Sequence, residues 1–301
     1  MAPVPKQARG TPFGPRLHAV ATDLKTFQAL TSERLQAALS DLFGLRLSQG
    51  GLMNLLRRAQ ARFRPGRETA VLALRRAEVV ASDETGVRIE GSNSYHWVFR
   101  SREAVVHHAS PTRAASVVRT MMDGHRPAVW ISDRYTAQQG HGIAHQTCLA
   151  HLARDVAYAV ETSDDSVPWR LQLWLQSVFA LAERVTALAA STLAAKRRSL
   201  DRQLATILAT PSACALTREL QAKIARARDQ LLVFLDHPGL VDPTNNACER
   251  ALRPAVVQRK VTNGYRAMWA AEGEAAVRTV VNTARLTGAS PFGTILKTVG
   301  A

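Results

Sequence analysis

The chain has 301 residues, enough for one large domain or two smaller ones, each with its own core. Its composition, 46% hydrophobic and 21% charged, is typical of a folded globular protein. No apolar run approaches the roughly 20 residues of a membrane-crossing helix. The basic residues 1–16 lack the apolar segment of a signal peptide. We therefore expect neither a membrane span nor a membrane partner.

The charge balance points to a polyanionic partner. Lys and Arg number 39 against 24 Asp and Glu, a formal net charge of +15. Such a surplus favours nucleic acid. A membrane surface is the alternative, but the basic residues are spread along the chain and not set on one amphipathic helix. Cys148, Cys214 and Cys248 are odd in number and widely spaced, which indicates a reducing compartment and hence the cytoplasm.

In the first quarter of the chain, the sequence pattern predicts a flexible basic arm (residues 1–15) followed by a helical segment (16–75). Apolar residues at helical spacing begin at Leu17, and Ser32 and Ser48 start two further helices. The last two helices resemble a helix-turn-helix whose second member carries Arg57 and Arg58. A small helical bundle with a solvated basic face is an equally good interpretation.

A basic stretch around Arg64–Arg67 is expected to separate these helices from a β-rich part. Strands are predicted over 79–90, 94–100 and 104–108 as an antiparallel meander, then a helix from Ser110, then a buried strand over 128–133. This order is that of a ribonuclease-H-like core, in which the first and fourth strands lie side by side.

The rest of the chain is helical in pattern. We expect an α/β fold whose catalytic core comprises residues 76–163 and 238–301, including C-terminal helices. Residues 164–237 form a helical insertion within that core.

Three acidic residues are the candidate catalytic and metal-binding groups. Asp83 and Asp133 each follow an apolar run, and Glu249 lies in a helical pattern. Carboxylates are the ligands that Mg²⁺ and Mn²⁺ prefer, and two such ions can drive in-line attack on a phosphodiester. Alternatively, the aspartates are turn residues at strand ends, and Glu249 belongs to a capping box with Asn246.

Basic residues near Glu249 are candidates for DNA binding. Asn246, Glu249, Arg250 and Arg253 share one helical face, where guanidinium groups could hold phosphates next to a metal-bound acid. A salt-bridged helix surface is the alternative. Further on, basic residues surround a predicted turn at Asn263–Gly264, which indicates either a phosphate track or a solvated loop. These residues are Arg259, Lys260 and Arg266.

Cys148 and His151 have metal-like spacing, but two ligands do not complete a zinc site. We therefore expect them to pack and hydrogen-bond beside the active site, as does Asn246. His141 and His145 lack the glutamate of a metalloprotease motif and are interpreted as surface histidines.

Several segments together resemble the bacterial insertion-sequence sixty-six transposases, from about residue 13 to 295. The segments are Phe43-Gly44-Leu45-Arg46-Leu47-Ser48-Gln49-Gly50, Asp83-Glu84-Thr85-Gly86, Ser132-Asp133-Arg134-Tyr135, Cys148-Leu149-Ala150-His151-Leu152-Ala153-Arg154 and Asn245-Asn246-Ala247-Cys248-Glu249-Arg250-Ala251-Leu252-Arg253-Pro254.

The resemblance implies a DDE transposase with a ribonuclease-H-like core that cleaves and joins DNA at element ends. It implies Asp83, Asp133 and Glu249 as the triad, two Mg²⁺ or Mn²⁺ ions, and double-stranded DNA as partner. A homo-oligomer, accessory proteins of the same element and association with the bacterial nucleoid are further expectations.

The sequence departs from the family pattern at two motif positions, where Cys248 replaces a commoner alanine and Leu149 a commoner aromatic residue. The family's N-terminal coiled-coil and zinc-binding region is expected to be absent. Two alternatives therefore stay open: a shortened, non-catalytic DNA-binding derivative, and a structure-selective nuclease on the same core.

Overall fold

A computed structural model describes residues 13–301, which form helices and one sheet. The helices are α1 (Pro15–Thr26), α2 (Ser32–Phe43), α3 (Gln49–Ala61), α4 (Arg64–Leu74), α5 (Ala115–Met122), α6 (Leu149–Thr162), α7 (Ser166–Ala182), α8 (Ala190–Leu208), α9 (Ala215–Arg226), α10 (Asn246–Thr262), α11 (Met268–Arg285) and α12 (Pro291–Gly300). The strands are β1 (Val79–Ile89), β2 (Ser92–Arg100), β3 (Val105–Ser110), β4 (Val129–Ser132) and β5 (Ala144–Thr147). Of the predicted arm, residues 1–12 lie outside the described residues, and Pro15 already belongs to α1.

The described chain divides into two compact units. The first contains the described residues up to Ala77, together with Ser82–His125 and Cys248–Ala301. The second contains Glu78–Ala81 and Arg126–Ala247. In the part of the chain that the structure describes, we find no helix with the length and apolar character needed to cross a membrane.

The sheet of the described residues has the strand order β3-β2-β1-β4-β5. β1 pairs in parallel with β4, with Val79 opposite Val129 and Ala81 opposite Ile131. The prediction that the first and fourth strands lie side by side is therefore confirmed, as is a mixed α/β fold.

In the first unit, helices α1, α2 and α3 pack through buried leucines such as Leu35, Leu39 and Leu52. The hydroxyl of Thr31 accepts the N–H of Arg34 at the start of α2, and Ser48 caps α3 in the same way. Gly44 ends α2 with a φ of 65°, a left-handed conformation that favours glycine.

The edge strand β3 of the first unit is covered by α11. The N–H groups of Val105 and His107 donate to the hydroxyls of Thr283 and Thr279 at 3.0 and 2.9 Å. Because an edge strand exposes backbone groups that its neighbour does not pair, these threonines close the edge against further strand pairing.

In the second unit, β5 is fixed by the buried side chain of Gln146. Its Nε2 donates to the carbonyl oxygens of Thr147 and Leu231, and its Oε1 accepts the N–H of Phe234. One amide therefore connects the strand to the segment that follows α9.

Most strand boundaries differ from the predicted ones by one or two residues, and two helix predictions differ for a physical reason. Arg64–Arg67 is the first turn of α4 and not a separator, because proline is compatible with the start of a helix. Helix α5 begins at Ala115 and not near Ser110. The hydroxyls of Ser110 and Thr112 accept the N–H groups of Thr112 and Ala114, and these local turns compete with helix formation.

A fully buried guanidinium connects three helices of the first unit. Arg278 of α11 donates to the carbonyl of Thr26 at 2.8 Å and to the side chain of Gln258 on α10, and it pairs with buried Glu274 at 3.4 Å. Removal of one member of a buried ion pair leaves an uncompensated charge in a dry environment.

We expect Arg278→Met to lower the free energy of unfolding by about 3–5 kcal/mol in a urea titration. The matched control is Asp123→Asn, which breaks the exposed pair of Asp123 with Arg75 and should cost less than about 1 kcal/mol. Equal effects of the two substitutions would contradict the structural role assigned to Arg278.

Candidate active site

Asp83 lies inside β1, half-buried, and not at a strand end. Its Oδ1 accepts the N–H of Glu84 at 2.9 Å. The alternative interpretation of Asp83 as a strand-end turn residue is therefore wrong. β1 continues to Ile89, so the acid side chain projects from extended backbone.

Asp133 directly follows β4 and is also half-buried. Its Oδ1 accepts the N–H of Tyr135 at 2.9 Å, which makes an Asx turn. The turn interpretation of Asp133 therefore describes its local conformation. It does not exclude metal binding, because an ionised carboxylate has about four acceptor positions.

His145 of β5 lies next to Asp133 in the second unit. Its Nε2 is 3.2 Å from the hydroxyl of Ser132. Burial lowers the pKa of His145 to about 4; the Asp133 carboxylate acts in the opposite direction, and His141 lowers the pKa further. Its interpretation as a surface histidine is wrong, because the side chain is half-buried, contacts Ser132 of β4 and is neutral at pH 7.

The chain that leads into α10 is fixed to the start of α6. The N–H of Leu149 donates to the carbonyl of Pro243 at 2.9 Å, and the N–H of buried Asn245 donates to Sγ of Cys148 at 3.1 Å. Asn246, the predicted support residue, is exposed at the first position of α10. Its neighbour Asn245 makes the contact that was expected near the site.

Cys148 and His151 contact each other in the second unit, one helical turn apart. Sγ of Cys148 lies within 4.8 Å of a ring nitrogen of His151. Burial raises the pKa of the thiol, but hydrogen bonds from the side chain of His151 and the N–H of Asn245 outweigh it, so the net pKa is lowered. The contact with His151 therefore polarises the Cys148 thiol, which acts as a hydrogen-bonding group.

Glu249 occupies the first turn of α10 and is half-buried, whereas Arg250 and Arg253 on the same helix are exposed. Negative charge is favoured near a helix N-terminus, where unpaired N–H groups point outwards. Because these two guanidinium groups are exposed, a phosphate could reach them.

Glu84 follows Asp83 in β1 and is not among the predicted site residues. Its carboxylate pairs with Arg113 at 2.7 Å, and the side chain of Glu84 is only 5% exposed. The guanidinium of Arg113 also lies 5.7 Å from the ring centre of Tyr95. Adjacent residues in a strand point to opposite faces. This alternation could have shown that only one of the two acids, Asp83 or Glu84, faces the candidate site.

The predicted DNA-binding residues differ in exposure. Arg259 is half-buried: it donates to the carbonyl of Gly86 and, at 3.3 Å, to the hydroxyl of Thr85. It therefore joins α10 to β1 within the first unit. The exposed members of the set are Arg57, Arg58, Arg250, Arg253, Lys260 and Arg266.

The predicted turn at Asn263–Gly264 packs against the end of β1. Gly264 has a φ of 103°, and a Cβ there would lie 2.1 Å from the carbonyl oxygen of Arg88. Tyr265 exchanges backbone hydrogen bonds with Arg88 and Glu90. The segment is therefore a fixed turn and not a solvated loop.

The donor chemistry of the acids fits a hard divalent cation. Asp83 and Asp133 offer half-buried carboxylate groups, each with one oxygen bound by a backbone N–H. Mg²⁺ and Mn²⁺ prefer such oxygens, whereas the thiol and imidazole of Cys148 and His151 suit softer metals.

A comparison with protein families matches residues 10–273 to a family described as "Transposase IS66 family". The match covers most of the 301 residues. The chain belongs to the IS66 transposase family. This is a family of DDE transposases, so membership implies DNA as partner and the use of divalent metal. Among curated proteins, no match to this IS66 member is found.

We predict that substitution of two neighbouring basic residues of α10 changes stability to different extents. Arg259→Met should lower the free energy of unfolding by about 1–3 kcal/mol, because the carbonyl of Gly86 loses its donor. Lys260→Met, at an exposed position, should change stability by less than about 0.5 kcal/mol.

The same two variants separate stability from DNA contact. Lys260→Met should reduce the slope of log K against log salt for DNA binding by about 1. Urea titration and fluorescence anisotropy at several salt concentrations measure the two quantities. A stable Arg259→Met variant, or an unchanged slope for Lys260→Met, would contradict these assignments.

Proposed function

We propose that this IS66 member is a DNA transposase that cleaves phosphodiester bonds and joins strands at insertion-sequence ends. The proposed catalytic and metal-binding residues are Asp83, Asp133 and Glu249. The observation that carries the proposal is the register of β1 and β4. Ala81 is paired with Ile131, and each of the two aspartates follows its member of this pair by two positions.

Alternation along a strand strengthens this inference. Residues two positions apart in an extended strand project from the same face. If the paired register continues, the side chains of Asp83 and Asp133 project side by side from one face of the sheet. We propose that they do so and that Glu249 completes the group.

The proposed role of the three acids is to hold divalent ions and to orient them. Two divalent ions, when bound, would activate the attacking oxygen and stabilise the leaving one. Asp83, Asp133 and Glu249 are the residues that would hold these ions. The Asx turn at Asp133 and the N–H of Glu84 at Asp83 fix each carboxylate before binding.

Cys148 and His151 are proposed to have a supporting role beside the active site. They offer one thiol and one imidazole as potential ligands. A structural zinc site needs four ligands, and Mg²⁺ prefers oxygen. We therefore favour a supporting role, in which the Cys148–Asn245 hydrogen bond fixes the entry into α10.

Further parts of the proposal concern organisation and partners. We propose a ribonuclease-H-like core formed by residues 76–163 and 238–301, a helical insertion over 164–237 and a DNA-binding helical segment over 16–75. Exposed basic residues are proposed to contact double-stranded DNA. A homo-oligomer, accessory proteins and a cytoplasmic, nucleoid-associated location belong to the same proposal.

The test is a strand-transfer assay with pre-cleaved duplexes taken from the DNA that flanks this coding sequence, in the presence of Mg²⁺. Asp133→Asn should lower joining by at least about a hundredfold, because loss of a ligand exceeds the effect of losing a supporting contact. DNA binding should be retained. Asp242→Asn, an exposed acid of the same unit, is the matched control and should join normally.

Three results would contradict the proposal in different ways. DNA binding without joining by the wild type would favour a non-catalytic derivative. Hydrolysis without joining would favour a nuclease. Joining that survives Asp133→Asn or removal of divalent ions by a chelator would exclude the proposed metal-binding triad.

A further inference from the structure

Two cavities of the first unit share a wall formed by Gln60 of α3 and Trp269 of α11. The first has a volume of about 470 Å³ and is also lined by Met53, Gln258 and Tyr265. The second has a volume of about 310 Å³ and is rich in arginine. Sites for small ligands usually fall between about 300 and 1,000 Å³. Each cavity therefore has room for part of a ligand.

Gln60 is a buried amide with an unused acceptor. The residue is 6% exposed, and its Oε1 has no hydrogen-bond partner among the described residues. Gly273 makes room for this group, because a Cβ at that position would lie 2.1 Å from Oε1. A buried acceptor without a donor is unfavourable, so a ligand that donates a hydrogen bond to it would gain affinity.

The first cavity combines flat apolar surface with polar groups. Trp269 and Met53 supply the apolar surface, and the amides of Gln60 and Gln258 supply the polar groups. The hydroxyl of Tyr265 donates to Glu274 at 3.1 Å and is therefore held in place. A planar heterocycle with donors and acceptors at its edge, such as a nucleobase, matches this lining.

The second cavity suits a phosphate. It is lined by Arg57, Arg64 and Arg67, against the two acids Glu68 and Glu272. His108 adds no charge at pH 7, because burial and then the nearby Arg67 lower its pKa to about 4. Guanidinium forks match phosphate oxygens in geometry as well as charge.

Trp269 connects the two cavities. The guanidinium of Arg57 lies 5.2 Å from the centre of its ring. A base that stacks on this indole would therefore have its own phosphate beside the arginines. Stacking of a base on an aromatic side chain strengthens binding and tolerates any of the four bases.

We propose that the paired cavities bind one unpaired nucleotide of the DNA, with its phosphate on Arg57, Arg64 and Arg67 and its base against Trp269 and Gln60. The inference rests on the proposed function for its partner, DNA. It adds a specific structure in that DNA, a nucleotide outside the base stack. Enzymes that take a base out of the stack bind most readily where the base is already unpaired.

The test compares three labelled duplexes of equal length by fluorescence anisotropy. One is fully paired, one carries a single bulged nucleotide, and one carries an abasic residue at the bulge; the four bases are tested in turn. The wild type should bind the bulged duplex about tenfold more tightly than the paired one. The abasic duplex should lose this preference, because it retains the phosphate but not the base.

Three substitutions should remove the preference and leave binding to the paired duplex unchanged. They are Trp269→Ala, Gln60→Leu, and Gly273→Ala, whose Cβ would displace the Gln60 amide. Trp169→Ala, an exposed tryptophan of the second unit, is the matched control and should retain the preference. Thermal unfolding checks that each variant is folded. If Trp269→Ala does not fold, Gln60→Leu and Gly273→Ala still test the proposal.

The outcomes separate this inference from the proposed function. If the wild type binds all three duplexes equally, or if folded variants retain the preference, the nucleotide site is excluded and the transposase proposal stands. If a free deoxynucleoside monophosphate competes as strongly as the bulged duplex, the cavities bind a small molecule and the inference fails. If the wild type binds no DNA, both fail.

Discussion

The parallel hydrogen-bonded pairing of β1 with β4 is the constraint on which this account depends. It fixes Val79 opposite Val129 and Ala81 opposite Ile131, so that the two strands begin at the same level. In a parallel ladder, strands of the same direction bring equivalent positions to the same level. The proposal that Asp83 and Asp133 share a site rests on this register, because each aspartate follows its member of the Ala81–Ile131 pair by two positions.

Local contacts prepare the acids for a charged ligand. Backbone N–H groups bind one oxygen each of Asp83 and Asp133, which restricts rotation of the carboxylates. Hydrogen bonds at Cys148 and Leu149 fix the chain just before α10, the helix that carries Glu249. The buried Arg278 connects the other end of α10 to α1 and α11 through Gln258 and Thr26.

The sequence predicted most elements because their signals are local. Thr31, Ser48 and Gly44 mark helix ends, and the apolar run before Asp133 marks β4. The start of α5 was placed too early, because the hydroxyls of Ser110 and Thr112 hold the backbone in turns that no periodicity reveals. The role of Arg259 could not be predicted either, because the sequence does not show whether an arginine binds a distant carbonyl or a phosphate. The burial of the Gln60 amide could not be predicted, because it depends on a glycine more than 200 positions away.

Metal binding by crystals of the protein tests the central claim most directly. Crystals grown with saturating Mn²⁺ should show anomalous density for an ion bound by carboxylate oxygens of both Asp83 and Asp133, with Glu249 on the same cluster. The Asp133→Asn protein should show weaker or no density at that position. Saturated wild-type crystals in which no ion is shared by Asp83 and Asp133 would contradict the account.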